Sequence, residues 1–100
     1  MLKISIVDSS KRRKLVLEGA LVAPWAAELS RACEMARAGL DGRELVVDLK
    51  NLMAISPEGE NILLALMNDG VQLRCHGVYA KQVVRQIARR NRKNFQETKR

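Results

Sequence analysis

The stretch Glu44-Leu45-Val46-Val47-Asp48-Leu49 places apolar, largely β-branched residues at consecutive positions. A strand built from it must be covered on both faces, as interior strands of parallel sheets are. Seven residues after Leu49, Ser56-Pro57-Glu58 has the makings of a helix start. Serine is a good N-cap, and proline suits the first helical position, where an N–H would lack a partner. A carboxylate complements the positive end of the helix dipole. A doubly buried strand leading into a helix restricts the chain to an α/β arrangement.

The rest of the sequence supplies the neighbours such a strand needs. Leu2, Ile4 and Ile6 alternate with Lys3 and Ser5 at the period of a half-buried strand. The polar segment Asp8–Arg13 reads as a turn, and Lys14–Glu18 as a second strand ended by Gly19. Pro24 suits the first turn of a helix whose apolar positions are Trp25, Leu29, Ala32, Cys33 and Ala36. Trp25 is expected in the core or at a groove edge, with an exposed interaction hot spot as the alternative. The Ser56 helix buries Ile62, Leu63 and Leu66, then Val71–Cys75 alternates as a fourth strand. Ala80, Val83, Val84 and Ile87 form the apolar stripe of a last helix.

The order is therefore ββαβαβα. The expected fold is a small single-layer α/β domain over residues 1–90, with a mixed four-stranded sheet in the order 1-2-3-4. Strand 1 is antiparallel to strand 2, and right-handed crossovers put the helices mainly on one face. The other face would carry Lys3, Ser5, Val16, Val46, Gln72 and Arg74, polar with a small apolar centre and usable by a partner. Residues 91–100 read as a flexible basic tail.

Charge is unevenly placed. The net charge is +7, yet residues 1–80 hold ten Lys or Arg against ten Asp or Glu. The excess comes from the end, where Arg85, Arg89, Arg90, Arg92 and Lys93 are prominent. Lys81, Arg85 and Arg89 recur every four residues as a solvated helix face; the alternative is an electrostatic contact with nucleic acid or anionic lipid. Phe95 is the only aromatic near enough to stack a base. The N-terminus lacks the pattern of a signal peptide, and the longest apolar run, Ile62–Met67, is too short to span a bilayer. Cys33 and Cys75 form no CxxC pair and read as small buried residues of a reducing compartment rather than a disulfide. The expected location is the cytoplasm.

Catalysis finds little support. His76, the single histidine, precedes Gly77 in a strand-to-helix turn and reads as a surface residue. No phosphate-binding glycine pattern occurs. Glu58 and Glu60 are two apart and diverge on a helix, so they make no acid/base pair. The expectation is a non-enzyme without cofactor or metal.

The segment Asp48-Leu49-Lys50-Asn51-Leu52-Met53-Ala54-Ile55-Ser56-Pro57-Glu58-Gly59 carries a family likeness. It resembles the STAS domains of sulfate transporters and anti-sigma-factor antagonists. Their pattern is a strand ending in Asp-Leu, four variable and two hydrophobic positions, then Asp-Ser-Ser/Thr-Gly opening a helix. Leu17-Glu18-Gly19, Ala23-Pro24-Trp25, Gly70-Val71-Gln72-Leu73 and Gly77 extend the resemblance to residues 2–90. It implies a regulatory protein-binding module whose contact loop is Ser56, Pro57, Glu58 and Gly59. The implied partner is an anti-sigma or kinase-like ATPase domain, or another signalling or transporter component. Aligned on Gly59, the family's phosphorylated serine falls on Pro57, which has no hydroxyl, so the usual switch is lost. Ser56 lies one residue early: its reading is N-cap, with a shifted phospho-acceptor as the alternative. Lys3 and Arg74 discourage pairing of the edge strands, and a homodimer through the sheet face or the helices stays open.

Overall fold

The computed structural model describes the backbone of residues 1–98 and the side chains of residues 1–90. Arg92, Lys93 and the tail read over residues 91–100 lie outside the described side chains.

β1 (Leu2–Asp8) and β2 (Arg12–Leu21) form an antiparallel hairpin in the register Leu2↔Gly19 to Asp8↔Arg13. The turn closes as Ser9 N–H donates to the Arg12 carbonyl at 2.8 Å and Arg12 N–H donates to Ser9 Oγ at 3.1 Å. β3 (Glu44–Ile55) and β4 (Gln72–Cys75) continue the sheet in parallel, giving the expected order β1-β2-β3-β4. Helices α1 (Ala26–Arg37), α2 (Pro57–Asn68) and α3 (Gly77–Thr98) complete the order ββαβαβα.

Alternation assigns the two sheet faces. Leu15, Leu17, Val47 and Leu49 point toward the helices and join Leu29, Cys33, Leu63, Ala80 and Ile87 in one buried cluster. Val16, Val46, Gln72 and Arg74 take the opposite parity, as expected. In the middle of β3, Leu45, Val46, Val47, Asp48 and Leu49 are all buried, so this strand is covered on both faces. Cys33 is buried and Cys75 half-buried; both are free thiols.

Four sequence expectations change. Gly19 does not end β2. It has φ +105° at a register shift, and a side chain there would strike the Met1 carbonyl oxygen. The glycine marks an irregularity inside a strand, a use that terminators and bulges share in sequence. β3 likewise runs on to Ile55 rather than yielding to a loop after Leu49. Asn51, Leu52, Ala54 and Ile55 stay paired with β2, while β4 stops opposite Leu49. Lys50-Asn51 looks like a loop because both side chains meet solvent. Pro24 lies in the turn before α1, with Trp25 at the N-cap position. α3 continues past Arg90, because waning apolar periodicity is not a stop signal when no glycine or proline follows.

Polar side chains tie the layers. Arg13 donates to the carbonyls of Ala36 and Ala38 at 2.9 and 3.2 Å, capping the end of α1, and pairs with Asp8 at 2.8 Å. This Arg13 hydrogen bond holds the Asp8 carboxyl below its ordinary range. Arg37–Asp69 links α1 to α2, and Arg90–Glu60 links α3 to α2, each at 3.1 Å.

Substituting Gly19→Ala should destabilise the chain by about 2 kcal/mol, through overpacking at a positive-φ site. The loss should appear as faster amide exchange in Leu2–Ile4. Unchanged exchange in β1 would contradict the close approach of Met1 to Gly19.

Candidate functional site

Parallel strands put the ends of β2, β3 and β4 at one edge of the sheet, where the three helices begin. β3 projects beyond β4 there and delivers Ser56 next to the end of β2. Ser56 N–H donates to the Leu21 carbonyl at 3.1 Å. Its hydroxyl then caps α2, accepting from Gly59 N–H at 3.3 Å. Pro57 occupies the first helical position, where no donor is needed.

Gly59 is required by packing. It is buried, and an added Cβ would strike the Leu21 carbonyl oxygen and crowd Ile55. No positive φ is involved: the glycine lets the first turn of α2 sit directly on the end of β2. Glu58 faces solvent on this anchored turn. Its own backbone N–H, and then the Ser56 hydroxyl, hold its carboxyl below the ordinary value of 4.5, so it is a fixed negative charge at neutral pH. The four sequence-selected residues are thus brought together, but as an N-cap and first helical turn rather than a loop. Ser56 and Gly59 face inward, and Pro57 and Glu58 face outward.

Two large side chains near the same edge are exposed. Trp25, at the start of α1, is 38% accessible, and Met53, two residues before Ile55, is 74% accessible. Trp25 is therefore an edge residue and not part of the core. Arg85 and Arg89 are exposed on α3, whereas Arg90 is engaged with Glu60 and Asn61 of α2.

The sequence reading missed a second cluster, on the open face of the sheet. Asp48 is only 5% exposed. Lys14 Nζ lies 3.7 Å from its Oδ2, and His76 Nε2 lies 3.0 Å from its Oδ1 without the alignment of a hydrogen bond. His76 is indeed a surface residue, but one set against a buried carboxylate. The signal was a charged residue inside the most continuously apolar strand. Among the described residues no group of three His, Cys, Asp or Glu could hold a metal ion, and no helix is long and apolar enough to cross a membrane.

No family model and no curated protein matches the chain. Among solved structures it is similar to Mglu, with a TM-score of 0.57 and 22% identity, covering 74% of this chain and 19% of that one. The chain thus spans about a fifth of Mglu. It is also similar to an uncharacterised protein of the DUF3478 family with a SpoIIAA-like fold from Shewanella loihica PV-4. That match has a TM-score of 0.54 and 18% identity, and covers 84% of this chain and 75% of its counterpart. The chain has a SpoIIAA-like, STAS-type fold, the fold that the sequence resemblance implied.

Replacing Ser56 by Ala should remove about 1 kcal/mol of stability through loss of the N-cap, measured by urea unfolding. For Glu58, the depressed folded-state pKa contributes stability that is present above the unfolded pKa and is lost as pH falls through the folded value. The stability difference between wild type and Glu58→Gln should therefore shrink below about pH 4. A difference constant from pH 3 to 7 would contradict the interaction.

Proposed function

We propose that this chain is a non-catalytic STAS-type regulatory module that binds a protein partner through the first turn of α2. The observation that carries this reading is the exposed, ionised Glu58 on a turn locked by Ser56 and Gly59. A contact site on such a turn needs little ordering when it binds, which favours affinity. Trp25 and Met53 supply exposed apolar area near the same edge, and tryptophan is a frequent anchor of protein interfaces. The complementary partner offers Lys or Arg to Glu58 and an apolar surface to Trp25. An anti-sigma or kinase-like ATPase domain, or another signalling or transporter component, is the class that the sequence resemblance implies.

With proline where the family carries its phosphorylated serine, and Ser56 engaged as the N-cap, we read the module as unswitched at this turn. Glu58 supplies negative charge there permanently. An electrostatic role for the basic end is the competing reading, and salt separates the two, because contacts with a polyanion weaken steeply as salt rises.

The test is affinity capture from the native cell with wild type, Glu58→Arg and Trp25→Ala, after each variant is shown to fold by its unfolding transition. A stoichiometric protein partner held by wild type at moderate salt should be lost with Glu58→Arg and weakened at least tenfold with Trp25→Ala. Full retention by Glu58→Arg would overturn this contact face. Capture that disappears with salt or nuclease would assign the binding to the basic end.

A further inference from the structure

Val46 lies at the centre of the open sheet face, outside the core beneath the helices, and is nevertheless fully buried. Lys14 and Gln72 are its register partners, and Arg74 follows Gln72 on the same face. Long side chains therefore lie across the valine, with their aliphatic stems on it and their polar ends around it. Among those ends a pocket of 140 Å³ is lined by Val7, Ser9, Arg12, Lys14 and Arg74.

All three charged residues lining this pocket are cations, drawn from β2 and β4. Arg74 makes no ion pair among the described residues. Arg12 meets Glu44 at 3.4 Å as an exposed pair, a kind that contributes little and yields to a stronger anion. Lys14 lies 3.7 Å from Asp48, but that carboxylate is buried, with His76 on its other oxygen, and does not line the pocket. Two guanidinium forks and an ammonium around one small volume suit a compact anion with several acceptor oxygens. A phosphate ester offers three such oxygens and a charge of about −1.5 to −2 at pH 7, and arginine matches it bidentately. A carboxylate offers two oxygens and a single charge. A wider depression of 510 Å³ adjoins the pocket, sharing Val7 and Lys14, and Val7 and Val16 give it an apolar wall for an organic group.

We infer that the open sheet face binds a phosphomonoester, with its phosphate held by Arg74, Arg12 and Lys14 and its organic part laid against Val7 and Val16. The same group occurs on small soluble esters and on the lipid phosphatidic acid. The site lies on the sheet face rather than at the start of α2, so it stands independently of the protein-binding reading.

The experiment is amide chemical-shift titration of the full chain at pH 7 with phenyl phosphate, inorganic phosphate and benzoate. Flotation with phosphatidylcholine vesicles, with and without phosphatidic acid, runs beside it. Phenyl phosphate should shift the amides of Val7, Arg12, Lys14, Val16 and Arg74 saturably. Inorganic phosphate lacks the organic part and should bind severalfold more weakly; benzoate carries a single charge and should bind at least tenfold more weakly. Arg74→Gln, at an exposed position, should weaken phenyl phosphate at least tenfold. Arg85→Gln removes the same charge from α3 and should leave binding unchanged. Flotation that requires phosphatidic acid and is lost with Arg74→Gln would assign the phosphate to a lipid headgroup, and a saturable shift without flotation would assign it to a soluble ester. No saturable shift with phenyl phosphate and no flotation would overturn the inference. Benzoate binding as tightly as phenyl phosphate, full binding by Arg74→Gln, or equal losses with Arg74→Gln and Arg85→Gln would do the same.

Discussion

Residues Leu45 to Leu49 lose nearly all contact with water, on the helix side and on the open side of the sheet alike. This double burial organises the molecule. β3 needs a hydrogen-bonding neighbour along each edge, which β2 and β4 provide in parallel. Parallel neighbours require crossovers long enough to hold a helix, and α1 and α2 serve as both connections and cover. One end of the strand then projects beyond β4 and places Ser56 against Leu21. The first turn of α2 is thus held in place by the most buried strand.

The same strand creates the less expected feature. A chain covered on both faces has little tolerance for a charge, yet Asp48 sits there with Lys14 Nζ 3.7 Å from one oxygen and His76 Nε2 3.0 Å from the other. Breaking such a group away from its partners is costly, and keeping it is rarely the most stable choice available. The Ser56–Gly59 turn and the Asp48 cluster lie apart, one at the sheet edge where the helices begin and the other on the open face.

Much of this was legible in the sequence, and the misreadings fall at element boundaries. The element order, strand order and helix-covered face followed from alternation in Leu2–Ile6 and Val71–Cys75 and from continuous apolarity in Glu44–Leu49. Ser56 as an N-cap followed from the preference of serine for that position and the proline after it. At Gly19 and Lys50-Asn51 local chemistry reads as a break while pairing with a neighbouring strand decides the outcome; at Pro24 and beyond Arg90 the difference is one of helix boundary. The Asp48 cluster needed three dimensions: Lys14, Asp48 and His76 come from three strands or their ends, and only register brings them together. Gly59 matched a family motif, but its physical reason, the carbonyl of Leu21, lies 38 residues away in sequence.

The most direct test of the central reading is amide hydrogen exchange on the full chain, free and bound to the protein partner it captures in its native cell. The expected result is new protection at Trp25 and its neighbours and at Met53–Glu60, with the exposed sheet face and α3 unchanged. Protection confined to α3 or to the open face of the sheet, with the first turn of α2 exchanging as in the free chain, would contradict it.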